Sequence, residues 1–157
     1  AQSPLNAAQK IAFLQETVSC IGANGMVGGQ VLDIQATNRN ITVEELENIH
    51  HCKTQELIRL CYYAIGCSYH ANQAEMERLN QIAYHVGMAF QIQDDLEDFQ
   101  QSNSSDAIHN KATYPSLLGK EEAHKRYQSH RDEALHLIVG VFGKQKSYAL
   151  IERVLHV

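Results

Sequence analysis

Across Gly87-Met-Ala-Phe-Gln-Ile-Gln-Asp-Asp-Leu-Glu-Asp-Phe99, four polar side chains fall at helical spacing: Gln91, Asp94, Asp95 and Asp98 stand at i, i+3, i+4 and i+7. On a helix turning about 100° per residue they share one face, where a globular helix normally carries its apolar stripe. Met88, Ile92, Leu96 and Phe99 occupy the adjoining arc, Phe90 lies on the other flank, and Glu97 projects away from the stripe. A helix apolar on both sides of three carboxylates must have those flanks covered, so the carboxylates are expected to line a cavity rather than a solvated turn. Three acidic groups within about one turn repel one another and resist burial unless a cation joins them. Oxygen ligands alone suit a hard ion. Mg²⁺ is the expected one, because it takes one or two protein carboxylates, keeps its waters and completes its shell with substrate phosphates.

The rest of the composition frames that site. A chain of 157 residues with 44% apolar residues suits one domain with a core, and residues 1–157 are read as a single unit. A net charge of -5 without a basic cluster leaves no footprint for nucleic acid. The longest apolar run, Leu137 to Phe142, is too short to span a bilayer, and the start shows no signal-peptide pattern, so a cytoplasmic protein is expected. Cys20, Cys52, Cys61 and Cys67 form no Cys-x-x-Cys pair and are expected as buried reduced thiols, while His124, His130 and His136 step around a helix without converging. Two prolines, no tryptophan and long 3.6-residue periodicities predict an all-α fold.

Taken in order, Ser3-Pro4 resembles a helix start, with Leu5, Ala8, Ile11, Ala12 and Val18 as its stripe. A second helix is expected from Met26 to about Ala36, with Gly28 and Gly29 in its interior, where each costs about 1 kcal/mol relative to alanine. Either a close approach by a helix or ligand compensates for them, or the segment is a flexible linker. Met26, Gln30 and Asp33 share one face. Thr42 with Glu45 makes a capping box and Ile41 with Leu46 a hydrophobic staple, opening one helix to about Ala71 with the stripe Leu46, Ile49, Leu57, Leu60 and Ala64. Lys53 falls near the centre of that stripe, where it must either snorkel to water or meet an anion inside, and Thr54 beside it offers a hydroxyl donor. The acidic helix spans Glu75 to about Phe99. A Ser/Asn-rich loop, Gln101 to Ser105, follows, then a turn at Tyr114-Pro115-Ser116 and a helix from about Glu121 to Phe142 with Tyr127, Ala134, Ile138 and Val141 inward. A last short helix opens at Ser147.

Three helices thus place polar groups where apolar ones belong: Gln30 and Asp33, Lys53 and Thr54, then the acidic stripe. One polar lumen inside a helical bundle, with Lys53 facing Asp94 across it, is the simplest common cause. A cation opposite carboxylates suits a diphosphate bridged by Mg²⁺, and metal-assisted departure of diphosphate is the reaction class expected.

At this point four segments, Gly25-Met-Val-Gly-Gly-Gln30 with Asp33, Leu46-Glu-Asn-Ile-His-His-Cys-Lys53-Thr54, Phe90-Gln-Ile-Gln-Asp94-Asp95-Leu-Glu-Asp98 and Lys111-Ala-Thr-Tyr-Pro115-Ser-Leu-Leu, resemble in order and spacing the C-terminal half of a trans-isoprenyl diphosphate synthase. Bacterial-type farnesyl (geranyltranstransferase) and geranylgeranyl diphosphate synthases look most similar. The resemblance implies an isoprenoid-synthase helical bundle, a homodimer, and condensation of isopentenyl diphosphate onto an allylic diphosphate. It also implies Mg²⁺ ligation by Asp94, supported by Asp95 and Asp98, and substrate contacts by Lys53, Thr54, Gln91 and Lys111. The family's first aspartate-rich motif and its Arg-Arg pair do not occur here, so the chain reads as part of a longer protein and as inactive alone. The loop after Asp98 lacks the family's Gly-Lys, and Gln55 stands where a glycine is common. Two other readings stay open: a non-catalytic subunit of a full synthase, and a terpene cyclase-like enzyme, against which the Gly-Gly-Gln and Lys-Thr segments argue.

Overall fold

The computed structural model describes residues 5–101 and 112–142, and every regular element among them is helical. In chain order these are α1 (Ala7–Ile21), α2 (Met26–Ala36), α3 (Val43–His50), a π-helical turn (His51–Gln55), α4 (Glu56–Ser68), α5 (Gln73–Gln101), α6 (Tyr114–Leu118) and α7 (Lys120–Phe142).

The long helix α5 organises the bundle because it carries two apolar arcs. Toward its start, Leu79, Ile82, Val86 and Ala89 pack with Ala134 and Ile138 of α7. Further along, Met88, Ile92 and Leu96 join Ile41, Leu46 and Ile49 from the α3 side, with Tyr114 and Ala123 closing the cluster. Ile82, Ala89, Ile92, Tyr114 and Ala134 are fully sealed from solvent. Each isoleucine among them contributes about 1.5–3 kcal/mol through burial. The Met88, Ile92 and Leu96 flank of the acidic stripe therefore has its cover, whereas Phe90 on the other flank is exposed, against expectation.

Local signals explain most helix boundaries. Thr42 accepts from the Glu45 amide at 3.2 Å while the Thr42 amide donates to the Glu45 carboxylate at 2.8 Å, and Ile41 and Leu46 are both buried in the same cluster. The capping box and staple stand as read. Asn72 and Glu75 make a similar reciprocal pair at the start of α5, a signal equally present in the sequence. At the front, α1 starts from Asn6, whose side chain accepts from the Gln9 amide, while Ser3 and Pro4 lie outside the described residues. The expected turn at Tyr114-Pro115-Ser116 is the short helix α6, capped by Thr113, with proline inside its first turn, where a missing N–H costs nothing.

Two apolar stripes differ from expectation. On α1, Ile11 and Val18 are exposed, and the helix packs through its other arc: Phe13 stacks on Tyr63 with ring centroids 6.3 Å apart, and Cys20 is buried beside Arg59. The helix expected from Thr42 to Ala71 is interrupted by the π turn, which adds a residue to one turn and rotates everything downstream. Buried stations accordingly run His50, Gln55 and Leu60, and Leu57 is left exposed. Val141 is also exposed. Among the cysteines Cys20 alone is buried, Cys61 is exposed and all four are free thiols. The Gln101–Ser105 loop and the Ser147 helix lie outside the described residues, apart from the Gln101 backbone.

Candidate functional site

The π turn carries Lys53 and Thr54 and is wedged between α2 and α5. On the α2 side the two backbones nearly touch, because a Cβ on Gly29 would stand 2.3 Å from the Lys53 amide nitrogen. Gly28 is equally constrained, a Cβ there lying 1.9 Å from the Ala23 carbonyl oxygen. Close approach of another element, the first of the two explanations for the glycine pair, is observed at Gly29, whereas Gly28 closes on the turn before its own helix. On the α5 side, Gln55 is buried: its amide donates to the Met88 sulfur at 2.8 Å, and its Cγ would lie 2.8 Å from a Cβ on Gly87. A π turn recurs where a side chain must be re-aimed. Here it gives Lys53 a half-buried position in which its ammonium donates to the Asp33 carboxylate. The lysine's anion is Asp33, and with 31% of its side chain exposed Lys53 also keeps contact with water.

The acidic stripe splits along its length. Gln91 and Asp95, four residues apart, are buried, whereas Asp94 and Asp98, also four apart, are exposed. Asp95 Oδ2 accepts the Tyr114 amide at 2.8 Å, and Oδ1 stands 4.0 Å from His50 Nε2. Burial, more than the nearby Glu47 and Asp95 carboxylates, pushes the Tyr114 hydroxyl well above its usual pKa.

The structure thus joins Asp33 to Lys53 and Asp95 to the start of α6. It leaves Gln30 exposed on α2 and Thr54 half-buried on the π turn. Lys111 lies outside the described residues. The enclosed lumen does not form among the described residues: Gln30, Asp94 and Asp98 are at the surface, and Lys53 bonds Asp33 rather than Asp94. The described helices cover the apolar arc of α5 but not its acidic edge. Among these residues no three His, Cys, Asp or Glu side chains converge to hold a metal ion. Mg²⁺ needs no such cluster, since one or two carboxylates plus phosphate oxygens and water suffice, and exposed Asp94 and Asp98 offer that donor chemistry.

The comparisons with known proteins bear on this arrangement. The polyprenyl synthetase family profile matches residues 5–146. The chain belongs to the polyprenyl synthetase family. A farnesyl diphosphate synthase of Bacillus subtilis is 39% identical over 144 residues, covering 87% of this chain and 49% of the relative. A farnesyl diphosphate synthase of Micrococcus luteus is 42% identical over 124 residues, covering 74% and 43%. The crystal structure of an FPP/GFPP synthase from Zymomonas mobilis superposes with a TM-score of 0.83 at 26% identity, over 95% of this chain and 52% of that one. The fold is therefore the all-α isoprenyl synthase bundle in part, and the chain spans about half the length of the curated relatives it matches.

Sequence reasoning missed one pair near the bundle's middle. His85 Nδ1 of α5 and His130 Nδ1 of α7 are 3.1 Å apart, with Tyr84 edge-on to both rings. Comparing histidines only along α7 hid it, because the partner comes from another helix. No helix among the described residues is long and apolar enough to cross a membrane.

Proposed function

We propose that this chain is the C-terminal portion of a trans-prenyltransferase that condenses isopentenyl diphosphate head to tail with an allylic diphosphate, making farnesyl or geranylgeranyl diphosphate. The observation that carries the reading is Lys53, held by Asp33 on a π turn packed between the glycine-bearing helix and the acidic helix. In this reading Lys53 donates to the allylic diphosphate as a point charge, Thr54 and Gln91 donate hydrogen bonds beside it, and Lys111 contributes a second cation. Asp33 keeps the Lys53 stem aimed while no phosphate is present, and Gln30 faces the substrate side of α2. Asp94, with Asp98 one turn on, would hold Mg²⁺, and the ion would supply positive charge beside the departing diphosphate. Phe90, exposed on the flank of the stripe, supplies apolar surface against which an allylic cation is shielded from water.

A homodimer fits the same reading. Ile11, Leu14, Val18 and Ile21 on α1 and Val27, Val31 and Ile34 on α2 form exposed apolar stripes at helical spacing, as a helix facing another subunit requires. The same stripes suit the second reading, a non-catalytic subunit docking on a full synthase. Diphosphate release from isopentenyl and allylic diphosphates by the full-length protein, with Mg²⁺ and with EDTA, tests the proposal. Absence of Mg²⁺-dependent release sinks it.

A further inference from the structure

Of the three carboxylates in the stripe, Asp94 and Asp98 are exposed, while Asp95 alone is buried. It is 5% exposed. Its Oδ2 accepts the backbone N–H of Tyr114, the first residue of α6, at 2.8 Å, and its Oδ1 faces His50 Nε2 at 4.0 Å. Tyr114 is fully buried, its ring tilted against that of His50 at 5.5 Å, and its hydroxyl reaches the Met88 sulfur at 3.9 Å. One carboxylate therefore ties α5 to α6 and, through the His50–Tyr114 contact, to α3. The Tyr114 amide belongs to a helix's first turn and has no acceptor within its own helix. A buried, charge-assisted bond from it to Asp95 is worth more than an ordinary one. Successive residues on α5 point about 100° apart, so the inward bond of Asp95 acts with the buried Met88, Ile92 and Leu96 to hold the helix's rotation and with it the outward direction of Asp94.

We propose that Asp95 is a positioning residue, which sets the aim of Asp94 by anchoring α6, and not itself a metal ligand. This rests on the diphosphate-transfer reading for its kinetic consequence, but not for its structural one.

The experiment compares Asp95→Asn, Asp95→Ala and Asp94→Ala in the full-length protein. It measures thermal midpoint in EDTA, turnover and the Mg²⁺ concentration giving half-maximal rate. Asparagine keeps a carbonyl oxygen for the Tyr114 amide, so Asp95→Asn should hold its midpoint, its Mg²⁺ requirement and turnover within about tenfold of the parent, as for loss of only the charged part of a hydrogen bond. Asp95→Ala should lower the metal-free midpoint by roughly 5 °C, since it orphans a buried amide. Asp94→Ala should lower that midpoint less than Asp95→Ala does and lose turnover. Asp95→Asn that matches Asp94→Ala in lost turnover, or that raises the Mg²⁺ requirement at an unchanged midpoint, overturns the proposal. So does Asp95→Asn melting as low as Asp95→Ala. If the parent protein shows no prenyl transfer at all, the functional reading fails while the metal-free midpoints still decide the role of Asp95.

Discussion

Gly29 lies against the backbone of Lys53 so closely that a Cβ on the glycine would stand 2.3 Å from the lysine's amide nitrogen. The obstacle is main chain, which cannot rotate aside as a side chain does. Gly29→Ala should therefore separate α2 from the π turn and cost about 3 kcal/mol or more, at or beyond the upper end for overpacking. Gly140 provides the control. It lies in α7 with nothing within 4 Å of a built Cβ, so Gly140→Ala should be neutral or stabilising by up to about 1 kcal/mol. Urea denaturation of the two variants checks both, and equal effects would mean that backbone proximity is not what the glycine serves.

How much of this arrangement was legible depended on whether a signal was local. Thr42 with Glu45 could be read because a capping box is complete within four residues. The acidic stripe could be read as one face, but not the side on which each carboxylate would end, because that depends on Tyr114, nineteen residues beyond Asp95. The π turn was illegible for a different reason. A steady 3.6-residue period assumes no inserted residue, so Leu57 was placed inside when the extra residue in His51–Gln55 turns it out. Lys53 could be read as needing either a route to water or an anion, yet nothing nearby in sequence named Asp33.

Gln55, on the π turn, fills a space that its neighbours would otherwise leave empty: it is 3% exposed, its amide contacts both Met88 and His51, and it lies against Gly87. Gln55→Gly should therefore destabilise by about 2–3 kcal/mol, combining a cavity with the helix-propensity cost of glycine. Thermal denaturation reads the effect. A variant as stable as the parent would show that the π turn does not depend on this filling.

Asp94 is exposed on α5, apart from the buried anchor that Asp95 provides. Even with the interactions it makes, loss of this exposed carboxylate costs about 1 kcal/mol or less. In the full-length protein Asp94→Ala should lower turnover roughly a hundredfold or more, as expected for loss of electrostatic stabilisation of a leaving group. Steady-state kinetics beside circular dichroism distinguishes the cases: lost helicity together with lost activity would make Asp94 structural.

The His85–His130 pair gives the bundle an acid-sensitive joint. Burial first, then the neighbouring charges of His85 and Arg126, holds His130 down at about 4 from its usual 6.5. Burial lowers His85 as well, although Glu133 opposes the shift. One proton can bridge two Nδ1 atoms 3.1 Å apart, but two cannot. A histidine whose folded pKa is depressed binds fewer protons than the unfolded chain does, so its contribution to stability is complete above about pH 6.5 and is lost as pH falls toward 4. Because both rings are only half-buried, solvent screening reduces the expected loss to about 1 kcal/mol between pH 7.5 and 5. His130→Gln retains a hydrogen-bonding group but cannot titrate. Urea midpoints at the two pH values should therefore differ less in His130→Gln than in the parent chain. An equal pH dependence in both would place the acid sensitivity outside this pair, though not in carboxylates such as Glu56, whose lowered folded pKa confines its effect to pH below the usual 4.5.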